Sequence, residues 1–293
     1  MTITAKDTST DSTATPVGIP VAEVVLAARE LAKGGRWHTA ARLLDATTAT
    51  DIPARALLAL ATAEVALEGD WFGGTSMAAG RLAAAQEVFE VGDVAPASRW
   101  DLAFLRLRHE YSGQIVGAGG WQLGPEGKDP EVIADLRRRA DDLRHQAPDE
   151  VRRGWAEMYL GLIADNLFAD RDAAPAHYRA ALDAGEAGDD LLAREALRHL
   201  GDHDHDDGDD QSALERWRRA AELGARAGAV PGTLSQQVLL AVLARDSGDQ
   251  AGATALARET ARWAGALGAT HIEAQAIGFL DGADPTAPPE NRS

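Results

Sequence analysis

Between Arg194 and Gly228 small and apolar residues recur three and four positions apart, with one break at a glycine. Leu200-Gly201 sits inside a helical stretch, Gly208 ends it, and Ala213, Trp217 and Ala220 follow at spacings of four and three. Side chains at those spacings share one helix face. The segment therefore predicts two antiparallel helices joined by a tight turn. Small Gly201 and Ala213 permit close approach, and Trp217 fills the space beyond the crossing. The arrangement recurs 40 residues earlier, in Leu160-Gly161, Ala173 and Ala180, and 40 residues later, in Leu240-Ala241, Gly248 and Ala253. Nearer the N-terminus, Gly35 and Gly69, 34 residues apart, are expected to close two earlier first helices.

Extending the pattern places helix pairs at about 20–33 with 37–49, 53–68 with 75–91, and 96–113 with 130–146. Further pairs follow at 150–168 with 172–186, 190–206 with 210–227, and 233–247 with 249–267. A last helix near 270–281 is expected to cap the exposed face of the stack, as repeat arrays require. Asp129-Pro130-Glu131 sets a capping acid, a first-turn proline and a second acid in helix-starting order. The expected fold is an all-α, right-handed α-solenoid of about six helix-turn-helix repeats plus the C-terminal capping helix. It occupies 19–282, between disordered tails at 1–18 and 283–293.

Leu-Gly, a turn glycine, alanine, an aromatic and alanine, in that order, resemble the tetratricopeptide-repeat family, and Leu200, Gly201, Gly208, Ala213, Trp217 and Ala220 carry the likeness. Elsewhere Phe168 stands for the turn glycine and His177 for the aromatic. The period near 40 is similar to the longer, divergent repeats in helical regions of actinobacterial regulators. The resemblance spans roughly residues 20 to 281. It implies a concave groove lined by the first helix of each pair, where Arg198, Asp202, His205 and Asp206 would project. Trp155, Met158, Leu162 and Asn166 would do so in the preceding repeat. Versions of that groove that bind acidic C-termini use Lys and Asn at places that are acidic, apolar or His here. The expected partner is instead a basic, amphipathic protein or peptide segment.

One segment departs from the repeat. Residues 112–129 contain six glycines around Trp121-Gln122-Leu123. An insertion of this length is usually functional or disordered. Trp121 either closes over the neighbouring groove or packs against the helix surface. Of the other tryptophans, Trp37, Trp217 and Trp263 are expected between repeats, and Trp71-Phe72 in a turn is a candidate exposed contact.

Charge narrows the partners. Twenty-nine basic and 46 acidic residues give −17, which argues against nucleic acid. The best basic cluster, Arg137, Arg138, Arg139, Arg144, Arg152 and Arg153, is interleaved with Asp135, Asp141, Asp142, Asp149 and Glu150. It reads as a salt-bridged surface. No cysteine is present, and no apolar run approaches the roughly 20 residues that span a bilayer. With no signal-peptide core in Met1 to Pro16, a cytoplasmic location and no membrane partner are expected. The oligomeric state is not readable.

The richest polar run is Arg198 to Asp210. His199 and His203 lie one helical turn apart, as do Asp202 and Asp206. Imidazole and carboxylate ligate Zn or Ni, but acids also gather at helix ends, and no specific metal spacing is present. These four are the weak metal candidates. No nucleophile elbow and no dinucleotide fingerprint occurs, so no catalytic residues and no cofactor are expected. The leading expectation is a non-catalytic protein- or peptide-binding scaffold, a regulatory or assembly factor. The alternatives are a small-molecule or metal sensor using the groove near His199–Asp206, and, last, an enzyme on a repeat scaffold. A deep closed pocket beneath 112–129 would favour the sensor or enzyme, an open groove the peptide binder.

Overall fold

The computed structural model describes residues 18–117 and 120–286. Thirteen α-helices are present among them: α1 Val21–Lys33, α2 Trp37–Asp45, α3 Ile52–Gly73, α4 Ala78–Val91, α5 Pro96–Ile115, α6 Pro130–His145, α7 Glu150–Phe168, α8 Ala174–Glu186, α9 Asp190–Asp206, α10 Asp210–Arg226, α11 Val230–Asp246, α12 Gln250–Leu267 and α13 Thr270–Leu280. The only strands among the described residues, β1 Val116–Gly117 and β2 Gly120–Trp121, pair antiparallel inside the glycine-rich insertion. Most of the expected tails at 1–18 and 283–293 lies outside the described residues. Of the described part, Asp284 ion-pairs Arg245 at 2.9 Å.

Local chemistry sets the boundaries. Asp51, Asp129, Asp149, Asp189, Asp209 and Asp249 each precede a helix and accept from its first backbone N–H groups, satisfying donors that have no partner within the helix. Gly208, Gly228, Gly248 and Gly268 all have positive φ and end successive helices. Only glycine enters that region without a Cβ clash. Gly69, in contrast, closes nothing. It lies within α3 against the Trp37 side chain, and the helix runs on to a left-handed Gly74.

Small residues bring the helices of a pair together. Ala213, Trp217 and Ala220 are fully buried, and a Cβ on Gly201 would lie 2.5 Å from the Trp217 ring. One repeat earlier the buried set is Ala174, Tyr178 and Ala181, not Ala173, His177 and Ala180. The left-handed residue there is Ala169, not Phe168. It follows Gly161 by eight residues where Gly208 follows Gly201 by seven, so α8 is displaced by one residue and Tyr178 takes the place of Trp217 against the glycine.

Trp37 and Trp217 are buried between helices as expected, but Trp263 is 52% exposed. Ala253, Ala257, Thr260 and Ala264 form the buried stripe of α12, and position 263 falls outside it. Trp71 and Phe72 lie in the last turns of α3, not in a turn between helices. Phe72 stacks on Trp37 with ring centroids 6.1 Å apart, and Trp71 meets Trp121 edge to face at 5.3 Å.

The basic cluster on α6 and α7 is salt-bridged. Arg138 pairs with Asp135, Arg144 with Asp141, and Arg153 with Glu150. Arg139 reaches Glu110, and Arg137 lies over the Phe168 ring.

The ends of the array go beyond the expected architecture. The expected capping helix is present as α13 and covers α12. α13 packs on α3, and one core cluster joins Val25, Ala28 and Trp37 to Val238, Ala264, Ile272 and Ala276. A Cβ on Gly35 would sit 3.4 Å from the Leu267 side chain and 3.5 Å from Pro231. The first repeat therefore buries its free face against the last, and the α-solenoid closes into a ring.

Candidate functional site

Ring closure turns the concave groove into a lumen of about 2660 Å³, lined by α1, α3, α5, α7, α9, α11 and α13 together with the insertion. Consecutive lining helices are stitched by polar rungs. Arg29 of α1 donates to Glu64 of α3 at 2.8 Å, and Arg108 of α5 to Glu68 of α3 at 3.1 Å. Arg152 of α7 grips Asp101 of α5 through both carboxylate oxygens, at 2.6 and 2.9 Å. The Trp155 indole N–H donates to Asp189 at the start of α9. Arg194 of α9, only 4% exposed, donates to the Gly232 carbonyl of α11 at 2.8 Å in a slot shaped by Gly224 and Gly232. A charge-assisted fork of the Arg152–Asp101 kind fixes direction as well as distance.

One stretch of wall is aromatic. Trp100 stacks on Phe104 at 5.1 Å, and Phe104 meets Tyr159 edge-on at 5.2 Å. Tyr159 in turn meets Tyr111 at 5.5 Å. Along the wall among the described residues, eleven carboxylates face seven Arg and Lys side chains. The space is thus net acidic beside an apolar ledge.

The residues singled out from sequence, Trp121, Trp155, Met158, Leu162, Asn166, Arg198, Asp202, His205 and Asp206, all border this lumen. Met158 is 1% exposed and serves as core behind the wall. Asp206 is paired with Arg171 at 2.6 Å, so the acidic patch is partly neutralised from within. Asp202 accepts from the Trp217 indole N–H at 3.1 Å, and the His205 ring leans on the same indole at 5.5 Å. Burial pushes the Asp202 carboxyl up, against the pull of Arg198. Asn166 donates to the Tyr111 hydroxyl at 2.7 Å, and its backbone carbonyl accepts the Gly124 N–H at 2.8 Å, tying the insertion to α7. Lys128 holds the loop internally through the Gln122 and Gly124 carbonyls.

The four metal candidates do not converge. His203 bonds Asp165 at 2.9 Å, which also accepts from the Tyr178 hydroxyl. His199 stacks on the Tyr178 ring at 5.1 Å. Burial, then the Arg198 charge and His203, hold its imidazole well below the ordinary histidine range. Asp206 faces Arg171. Among the described residues no group of three or more His, Asp or Glu is arranged to hold an ion. No helix among them is long and apolar enough to cross a membrane.

Sequence reasoning missed Arg171, which lies in the α7–α8 turn outside the repeat pattern. It also missed Tyr111 and Asp165, which sit at helical spacing like ordinary wall residues until α5, α7 and α9 are assembled.

Fold and site together define a ring-closed, all-helical α-solenoid of helix-turn-helix pairs with a polar and aromatic lumen. No family model and no curated protein matches the chain. Among solved structures it is similar to a Rap protein in complex with Competence and Sporulation Factor. Identity is 10% over 89% of this chain and 86% of that one, with a TM-score of 0.41. A likeness that distant carries no functional weight, and function has to be read from the lumen.

Proposed function

We propose that the protein is a non-catalytic scaffold, a regulatory or assembly factor, that takes an extended segment of a protein or peptide in its lumen. The observation that carries this reading is the size and lining of that space. Ring closure removes the open groove expected of a peptide binder. Small-molecule pockets, however, span about 300–1,000 Å³, well below the roughly 2660 Å³ here, so the enclosed space is oversized for a single small ligand. A wall with an aromatic ledge beside excess carboxylates suits a chain that alternates apolar and basic side chains. The described residues contain the hydrogen bonds of a structural wall, with most of its charges spent on one another.

A panel of fluorescein-labelled peptides tests the reading by polarisation. Basic amphipathic 10-mers should bind, acidic 10-mers of matched hydropathy should not, and a rise in salt should slow association by screening exposed charge. Trp155→Ala, which removes a wall aromatic, should mainly raise the off-rate. Absence of binding by all basic peptides, or equal binding of basic and acidic ones, refutes it.

A further inference from the structure

Closing a row of helix pairs into a ring leaves one interface unlike the rest. From α1 to α11, successive lining helices are joined by the polypeptide and by a polar rung. At the seam between the first and last repeats no chain crosses. Among the described residues no hydrogen bond or ion pair crosses it either. Arg245 of α11 is spent within the last repeat, on Asp284 and over the Phe279 ring.

The contacts that do close the seam are small and apolar. A Cβ on Gly73 would lie 3.4 Å from the Trp37 ring and 3.7 Å from the Gly268 carbonyl. One on Gly74 would lie 3.3 Å from Thr270 Oγ1. Trp37 is 6% exposed, and its indole N–H is buried there without an acceptor. An unpaired buried donor opposes closure, and hydration recovers that loss when the faces part. Apolar contact is non-directional, so the faces can separate and meet again without re-forming a specific bond. Parting them breaks no covalent link and leaves every repeat its sequence neighbours, on which the stability of such an array chiefly rests.

We propose that this seam is the gate of the ring, and that the first and last repeats part there to admit the bound segment sideways. The inference rests on the peptide-binding reading and defines the partner further: the segment is internal to its chain, with folded structure on both sides. A ring that stayed shut would have to be threaded by a free chain end. A folded domain, with a radius of gyration of about 13 Å at 100 residues, does not pass through a lumen of about 2660 Å³.

The chain has no cysteine, so thiols can be placed singly. Ile272→Cys sets one in the seam, and Ile163→Cys, fully buried in α7 between two rungs, is its control. Under native conditions Ile272→Cys should react with a thiol reagent about ten-fold or more faster, because local opening exposes it where only global unfolding exposes the control. Equal rates, corrected for the stability of each variant in urea, would mean that the seam stays shut and the gate is wrong.

Gly74→Cys with Thr270→Cys then locks the seam, at a separation a disulfide can span. A bis-maleimide bridge replaces the disulfide if position 74, left-handed in the fold, resists oxidation. Surface plasmon resonance compares an alternating Lys-Leu 10-mer with free ends and the same 10-mer carrying a small folded domain at each end. The reduced ring should bind both. The locked ring should keep the free peptide and take up the flanked one about ten-fold or more slowly. If the flanked peptide binds locked and reduced rings alike, or the reduced ring takes only the free peptide, the seam is not the entrance and the peptide reading stands. If no peptide binds, that reading falls, and the labelling rates decide whether the seam opens.

Discussion

Gly201→Ala is the sharpest test of how the repeats pack. The added Cβ would lie 2.5 Å from Trp217 Cδ1 and Nε1, about an ångström inside ordinary contact. Trp217 is fully buried. Its N–H is shared between the Arg198 carbonyl at 3.0 Å and Asp202 Oδ1 at 3.1 Å, so the ring cannot retreat without losing a bond. Overpacking costs about 1–3 kcal/mol, and loss of a buried hydrogen bond costs about 1 kcal/mol. Replacing a mid-helix glycine by alanine returns about 1 kcal/mol through helix propensity. The net expectation is a loss of about 1–3 kcal/mol. Gly80 supplies the control. It lies exposed in α4, where a methyl group would have nothing within 4 Å, so Gly80→Ala should gain about 0.5–1 kcal/mol. Both variants are compared with wild type by urea denaturation, reading the midpoint and slope. Gly161→Ala, which would meet the Tyr178 ring at the same 2.5 Å, should behave like Gly201→Ala. If Gly201→Ala is as stable as Gly80→Ala, the glycine–aromatic contact is not what spaces the helix pairs.

Two further outcomes follow from the seam and the lumen. Ile272 is 2% exposed in the cluster that joins first and last helices. Ile272→Asp buries an unpaired carboxylate at a cost of several kcal/mol and should open the ring. Small-angle scattering should show a larger radius of gyration with helicity largely kept, and an unchanged radius at unchanged stability argues against closure. His199 is held neutral, its folded pKa well below 6.5. The unfolded chain therefore binds a proton that the folded chain refuses as pH drops below 6.5, so this group's contribution is present above that pH and is lost below it. His199→Phe, which keeps a ring against Tyr178, should flatten the fall in urea midpoint between about pH 6.5 and 5. An unaltered slope would show that His199 titrates normally.

What the sequence by itself determined is local. Spacings of three and four, aspartates before helices and glycines after them are short-range codes, and they place the helices within a few residues of their observed limits except at the end of α3, which runs past Gly69 to Gly73. The same codes identify Gly201 and Trp217 as a packed pair and the Arg138 to Arg153 cluster as a salt-bridged surface, though Arg139 and Arg152 find Glu110 and Asp101 on α5. Where a local code slipped, at Ala169 and Tyr178, the cause was one extra residue in α7 that rotates the next helix. Spacing alone cannot register such a shift when alanines occupy both alternatives. Trp263 failed for a related reason: the burial of a helical face depends on how neighbours are set around it, and α12 turns its alanines inward.

The ring and the rungs were decided only by tertiary structure. Whether a stack of repeats stays open or closes depends on small rotations accumulated at every interface, and no single residue encodes that sum. The packing of neighbouring repeats determines partners in the same way. Arg171 neutralises Asp206 and Arg152 grips Asp101 across 51 positions of sequence, while Arg198 reaches Asp202, one turn along its own helix, only at 3.6 Å. Charge pairing is a matter of ångströms in space, and a linear chain of −17 does not show which of its charges meet.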